Sequence, residues 1–397
     1  MRRLWPAIVL IALVSGLLLL APSRGSSRPS GPVGGGGDLR IDARRDQGGE
    51  TATSRPAILH RFQAGVCWVG PEHGPSLDYL RERGIGWISV TPFAYGHERA
   101  DSPPEGGYRF SRYRGESIEG VRAVIQGAHR SGLKVMLKPH IWFAKEGVWR
   151  SSIAMKTEED WRIWFGMYGA FLAPFVKMAA LEGVEILCLG TELTGTIGRD
   201  GEWRALIRDV RKRYGGRLTY AANWYQEYEE IPFWDALDAI GVQAYFPLGK
   251  KEQPTVEEIC ASWEPWRRKL AALARRHRKP ILFTELGYKP SAGTTIEPWT
   301  WRAPGPTDPG AQERAFRAAF QALAGEEWLR GMYVWKWYAG YVGPEGDGAP
   351  RRRHHDNFSP QGYPAERTIL EGFRRLQGAG PGAGAKAERK IGERSHH

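Results

Sequence analysis

Two glutamates each follow a short apolar run of the kind that forms a buried parallel strand. Residues 281–284 precede Glu285, and residues 184–191 precede Glu192. In an eight-stranded β/α barrel, catalytic groups lie at the carboxyl ends of the strands. A single strand-end glutamate is more often a solvated loop residue or an arginine partner. Two at equivalent positions could instead act on a glycosidic bond, one as a nucleophile and one as a proton donor.

Strand alternation gives a more detailed expectation for these side chains. Because successive residues point to opposite faces of a strand, Glu285 is predicted to share a face with Phe283, and Glu192 with Gly190. If both faces look into the barrel, the two carboxylates converge at its mouth.

The pattern over residues 57–376 predicts one (β/α)8 TIM barrel, because apolar runs alternate with helical segments and no Gly-rich phosphate loop is present. Ser76, Ser117 and Thr255 are predicted to cap the helices that follow three of the strands. The predicted strands are residues 62–68, 85–93, 133–142, 184–193, 218–224, 238–246, 281–284 and 331–338.

The two ends of the chain differ from this pattern. Residues 1–21 begin with two arginines and continue as an apolar run, which predicts either a cleaved signal peptide or a membrane anchor. Residues 22–56 are rich in Gly, Ser and Pro and predict a flexible linker, and residues 377–397 predict a disordered tail. We therefore expect an exported protein, either secreted or tethered to the outer face of the cytoplasmic membrane.

Composition excludes several functional classes. The net charge of +12 is partly carried by the two ends, and the remaining Lys and Arg are dispersed, so nucleic-acid binding is not expected. The three cysteines lack metal-binding or disulfide spacing. The chain has 17 Trp, more than packing usually requires, which favours some of them as stacking platforms for sugars.

Three motifs together resemble the clan A retaining glycosidases, and most closely glycoside hydrolase family 113. These motifs are G-T-E-L at 190–193, F-T-E-L-G-Y at 283–288 and W-K-W at 335–337, and the likeness covers about residues 60–376. The resemblance implies that Glu285 is the nucleophile, that Glu192 is the acid/base, and that Tyr245 hydrogen-bonds the nucleophile. Most clan members have Asn before the acid/base, whereas Thr191 stands here, which leaves the preferred sugar epimer open.

Other polar and aromatic residues near predicted strand ends are candidates for sugar binding. His140 and Asn223 could bind sugar hydroxyls, although a lone histidine at a strand end is as often a structural hydrogen-bonding residue. The remaining candidates are aromatic: Trp335 and Trp337, predicted to share one strand face, and Trp68 and Phe93. The cluster His354, His355 and Asp356 lies in a Gly/Arg-rich loop and is not predicted to bind metal, and no cofactor is expected.

These observations favour a retaining β-glycoside hydrolase, with β-linked oligo- or polysaccharide as its partner and endo-β-1,4-mannanase-like activity as one possibility. Two alternatives remain open at this point. A catalytically silent carbohydrate-binding barrel would not need both glutamates. A transglycosylase that remodels a surface polysaccharide would use the same residues and differ only in whether water or a sugar is the acceptor.

Overall fold

The computed structural model describes residues 61–97, 99–143, 148–343 and 357–378. The predicted export segment, the linker and the His354 to Asp356 cluster lie outside these ranges. The strands are β1 (Gln63–Val69), β2 (Trp87–Val90), β3 (Phe93–His97), β4 (Arg109–Phe110), β5 (Lys134–Leu137), β6 (His140–Phe143), β7 (Ile186–Thr191), β8 (Arg217–Asn223), β9 (Ile240–Gln243), β10 (Ile281–Leu286) and β11 (Leu329–Tyr338).

Helices follow the barrel strands and cover the outside of the sheet. They are α1 (Gly74–Glu82), α2 (Ile118–Arg130), α3 (Glu158–Leu181), α4 (Asp200–Arg213), α5 (Glu227–Glu230), α6 (Val256–His277), α7 (Pro309–Ala322) and α8 (Pro364–Gly378). The last two residues of α8, Gln377 and Gly378, lie in the range predicted as a disordered tail.

The barrel is closed and parallel, with the strand order β1-β11-β10-β9-β8-β7-β5-β2, and this confirms the predicted (β/α)8 architecture. A second sheet has the order β4-β3-β6 and lies beyond the ends of β2 and β5. The second and third predicted strands were therefore too long. Each is divided at a proline, Pro92 or Pro139, which has no N–H to donate to a ladder.

Helix capping follows the sequence signals at most positions. Ser117 accepts a hydrogen bond from Gly120 N, and Thr255 forms a reciprocal capping box with Glu258. The predicted N-cap of the first helix was wrong by three residues. His73 rather than Ser76 caps α1, because its imidazole Nδ1 accepts from the backbone N–H of Ser76.

Two apolar clusters fill the fold. The larger cluster lies between the strands and the helices and includes α3, which is long and apolar enough to cross a bilayer by length and composition alone. This helix packs on the barrel instead, where Tyr168 donates a hydrogen bond to Leu189 O of β7. The smaller cluster contains strand residues such as Met136, Leu282 and Tyr333 and fills the barrel interior.

Candidate active site

Glu285 projects into the barrel mouth because β10 carries a β-bulge. Phe283 and Glu285 lie opposite the consecutive residues Val242 and Gln243 of β9, so β10 has one extra residue at this point. Phe283 points outward and stacks on Trp263 of α6, with ring centroids 6.1 Å apart. The prediction that Glu285 and Phe283 share a face was therefore wrong. The bulge nevertheless turns Glu285 into the barrel, which is the direction that was predicted.

Two side chains hold the Glu285 carboxylate, which is 4% exposed. Tyr245 donates a hydrogen bond from its hydroxyl to Oε2 at 2.7 Å, which is the contact that the family resemblance implied. The Lys138 ammonium, itself fully buried, forms an ion pair with Oε1. A cation and a hydroxyl donor both stabilise a carboxylate in its charged form. The surroundings of Glu285 therefore suit an ionised nucleophile.

Lys138 was missed by sequence reasoning. It follows the last residue of β5, and its Nζ also lies 3.4 Å from Thr284 O and 5.6 Å from the Trp335 ring centroid. The signal that could have found it is a lysine at the end of an otherwise apolar strand, since a lysine is almost never fully buried unless it is paired.

Glu192 follows β7 and is placed by a second bulge. Cys188 and Thr191 lie opposite Thr219 and Ala221 of β8, so β7 also carries an extra residue. Gly190 faces the helix layer, where a Cβ would come within 2.5 Å of Tyr220, so the predicted shared face with Glu192 was wrong here too. Glu192 itself has a φ of 52°, and its N–H donates to Ala221 O at 2.9 Å.

The environment of Glu192 differs from that of Glu285. Burial is the largest effect and raises the pKa of the Glu192 carboxyl, the nearby Glu285 charge raises it further, and Arg150 and Lys138 lower it. Arg150 donates from Nη2 to Oε2 of Glu192 at 2.6 Å. The net direction is upward, which favours a carboxyl group that keeps its proton.

Arg150 is a second residue that sequence reasoning missed. It lies in a 3-10 turn, Arg150–Ser152, is 5% exposed, and packs its guanidinium 4.5 Å from the Trp149 ring centroid and 5.5 Å from that of Trp142. Its Nε and Nη1 are buried without a hydrogen-bond partner. The sequence around Arg150 has no pattern that predicts where its side chain lies. Only the fold brings the guanidinium to Glu192.

We expect Arg150→Met to move the basic limb of the kcat/KM pH profile to higher pH. Arg150 lowers the pKa of Glu192, so its removal raises that pKa, and the proton donor stays protonated over a wider alkaline range. The measurement uses a glycoside whose leaving group needs a proton. Arg150→Lys, which retains the charge, should shift the limb less. A basic limb that stays in place or moves to lower pH would contradict the assignment.

A buried network supports the backbone around Glu192. The Tyr220 hydroxyl accepts a hydrogen bond from Leu193 N at 2.8 Å and donates to Glu227 Oε1 at 2.5 Å. Glu227 Oε2 accepts from Asn223 N at 2.6 Å. Burial raises the pKa of Glu227 to about 7. The network ties the residue after Glu192 to the end of β8, so Glu227 serves position rather than contact with a sugar.

The remaining predicted polar residues are distributed around the carboxylates. His140 is 2% exposed, neither ring nitrogen has a partner, and burial followed by the charges of Lys138 and Arg150 lowers its pKa well below the usual value. Thr191 is 2% exposed at the end of β7. Asn223 lies at the end of β8, where its Oδ1 accepts from Tyr225 N at 3.2 Å.

The predicted aromatic residues fall into two groups. Trp335 belongs to the cluster inside the barrel, and Phe93 lies against His140 with centroids 4.8 Å apart. Trp337 is fully buried in the outer cluster and packs on Tyr341, so the prediction that Trp335 and Trp337 share a face was wrong. A bulge in β11 opposite Val66 and Trp68 explains the difference. Trp68 also lies in the outer cluster, and its indole N–H donates to Gly70 O and Pro71 O.

Further tryptophans line the loops above the mouth. The segment after β10 carries Trp299, which stacks on Trp224 at 4.7 Å, and Trp301, which is 40% exposed and packs on Trp142 at 6.1 Å. This segment therefore contacts loops on two sides of the barrel. Over the described ranges, no group of His, Cys, Asp and Glu could hold a metal ion.

The barrel and its two unlike carboxyl groups define a class of protein. A parallel (β/α)8 barrel with one charge-stabilised and one desolvated carboxyl group at its mouth has the parts of a glycosidase. A family profile for Glycoside Hydrolase Family 113 matches residues 63–351. The chain belongs to glycoside hydrolase family 113, and it is a glycosidase.

Solved structures agree with this membership. The chain is 26% identical to the GH113 β-mannanase AaManA from Alicyclobacillus acidocaldarius, solved in complex with ManMIm, with a TM-score of 0.66 and coverage of 81% of this chain and 100% of that one. A GH113 β-1,4-mannanase shares the fold at 24% identity, with a TM-score of 0.68 and coverage of 79% and 99%. No curated protein sequence matches significantly.

Proposed function

We propose that this protein is a retaining β-glycoside hydrolase that uses double displacement, with Glu285 as the nucleophile and Glu192 as the acid and then the base. One observation carries the assignment of roles. Lys138 and Tyr245 stabilise charge on Glu285, whereas burial raises the pKa of Glu192. A retaining mechanism needs this contrast, because one carboxylate must attack while the other carboxyl group protonates the leaving oxygen.

The chemistry proceeds in two steps. Ionised Glu285 attacks the anomeric carbon, the bond to the leaving oxygen breaks, and Glu192 transfers its proton to that oxygen. Glu192, now a carboxylate beside Arg150, removes a proton from water, which attacks the glycosyl-enzyme and releases Glu285. Two inversions at the anomeric carbon give net retention.

Membership of a family with solved β-mannanases supports β-1,4-mannan as the first substrate to test. The two carboxyl groups have the different environments that catalysis needs, one stabilised as an anion and one buried. This favours an enzyme over a catalytically silent sugar-binding barrel, because sugar binding alone needs neither glutamate. Added acceptor sugars would distinguish transglycosylation, because longer products then appear in place of hydrolysis products.

The decisive experiment follows the first product by proton NMR and traps the intermediate. We expect β-1,4-manno-oligosaccharides to give the β-anomer first, and a 2-deoxy-2-fluoro-β-mannosyl fluoride to label Glu285, as identified by peptide mass spectrometry. An α-anomer as the first product would show inversion and would overturn the mechanism. A label on another residue would overturn the assignment of Glu285.

A further inference from the structure

Lys336 lies beside Trp335, the tryptophan that belongs to the cluster inside the barrel. Lys336 Nζ is 5.3 Å from the ring centroid of Trp335 and 5.9 Å from that of Trp301, and the side chain is partly exposed. It forms no ion pair with any residue in the described ranges. A cation held on aromatic rings within a cleft, without a carboxylate partner, is available to a ligand.

The charged groups that the structure describes around the mouth have a net positive charge at the moment when substrate binds. Lys138 and Glu285 offset each other as an ion pair. Arg150 pairs with Glu192, but the proposed mechanism requires Glu192 to be protonated when the sugar arrives. Among the residues that the structure describes, Arg150 and Lys336 then both lack a full counter-charge beside aromatic rings, so an anionic group of a ligand would be stabilised there.

Glu116 is an acidic residue that interacts with Lys336 and only partly offsets this excess. Glu116 lies close enough for Lys336 to lower its pKa, although burial has the larger effect and raises that pKa. Glu116 forms no ion pair with Lys336 among the described residues. Even with Glu116 counted as charged, Lys138, Arg150 and Lys336 exceed Glu285 and Glu116 by one positive charge within the described ranges.

We propose that the sugar bound at Trp335, or its neighbour in the chain, carries a negative charge that Lys336 and Arg150 recognise. The preferred ligand is then an acidic β-linked glycan, which binds more tightly than its neutral counterpart. Its anionic group is either the carboxylate of a hexuronic acid or an ester-linked sulfate, since an ammonium and a guanidinium bind both. This inference rests on the proposed function, because the positive excess depends on Glu192 being the protonated acid.

The test compares ligands that differ only in charge, and it measures binding so that it does not depend on turnover. β-1,4-Mannohexaose, β-1,4-mannuronate hexaose and a 6-sulfated mannohexaose are titrated calorimetrically into full-length Glu192→Gln, which lacks the proton donor and carries at this position the uncharged side chain that the inference assumes. We expect at least one acidic ligand to bind about tenfold or more tightly than the neutral one, with the stronger acidic ligand identifying the anionic group. Raising the salt from about 50 mM to about 500 mM should reduce this preference.

Lys336→Gln tests the residue directly, and Lys134→Gln is a matched control. Lys134 also lies over a tryptophan, 5.6 Å from the Trp87 ring centroid, but at the amino end of β5 and thus at the opposite end of the barrel. We expect Lys336→Gln to lower the acidic-to-neutral affinity ratio about fivefold or more, and Lys134→Gln to leave it unchanged.

Each outcome bears on either the inference or the catalytic proposal. Equal affinities for acidic and neutral ligands, or an unchanged ratio in Lys336→Gln with an unchanged melting temperature, would overturn the acidic ligand. Acidic preference without cleavage of any ligand by the wild-type protein would retain the inference and overturn the hydrolase. Cleavage of mannohexaose with retention of configuration, but without a preference for acidic ligands, would support the hydrolase and overturn the inference of an acidic ligand.

Discussion

Glu285→Ala should lose activity on both natural and activated glycosides, by about 10⁴-fold or more. Without the carboxylate, no glycosyl-enzyme can form, however good the leaving group is. Azide should restore turnover of an activated β-glycoside and yield an α-glycosyl azide, the inverted product. The structure favours this rescue, because the vacated space is bordered by the Lys138 ammonium and the Tyr245 hydroxyl, which can hold a small anion.

Glu285→Gln is the control for this prediction. It removes the negative charge but leaves the side-chain volume in place, so azide should rescue it far less than Glu285→Ala. Matching thermal melts for the two variants would exclude misfolding as the cause of inactivity. A retained azide product from Glu285→Ala would mean that the two glutamates have been assigned the wrong roles.

Glu192→Ala should lose about 10²- to 10⁴-fold on a polysaccharide but still form the glycosyl-enzyme from a dinitrophenyl glycoside. An activated phenol can leave without a proton, so the first step survives and the second becomes slow. Azide should accelerate the second step and give a β-glycosyl azide, the retained product, because an anion needs no general base. Arg150, left without its partner, gives that anion a cation to approach.

The comparison within one variant provides the control here. Glu192→Ala should show a rapid burst of dinitrophenol and a much weaker response with a poor leaving group such as an unsubstituted phenol. Equal losses with both leaving groups would remove Glu192 from the role of proton donor, and full activity would remove it from the mechanism.

The local sequence pattern located the eight barrel strands, although it made the second and third too long, and it placed Glu192 and Glu285 at strand ends. It did not predict how the two carboxylates reach the mouth. Runs such as 281–284 are apolar on both faces, and a buried parallel strand needs that pattern. Alternation then failed at Glu285, Glu192 and Trp337 for a single reason, since each lies at or after a bulge. A bulge depends on pairing with the neighbouring strand, so a single segment of sequence does not reveal it.

The sequence did not predict which charged residues contact the two carboxylates, and the reason is different. Lys138 is 147 residues from Glu285 along the chain, and Arg150 is 42 residues from Glu192. Nothing local to Arg150 distinguishes it from a solvated loop arginine, because its burial comes from Trp142 and Trp149. The contact of Tyr245 with Glu285 was expected only through the family resemblance, which implied an aromatic hydroxyl beside the nucleophile.

The left-handed backbone of Glu192 implies a trade-off between activity and stability. A non-glycine residue at a φ of 52° costs of order 1 kcal/mol relative to glycine, and burial of its carboxyl group adds to that cost. Selection for stability alone would replace this residue, whereas selection for turnover retains it, as in other enzymes whose catalytic groups are locally unfavourable. The Tyr220 and Glu227 network holds the residue that follows Glu192 in place, so thermostabilised variants of this barrel should be sought outside it.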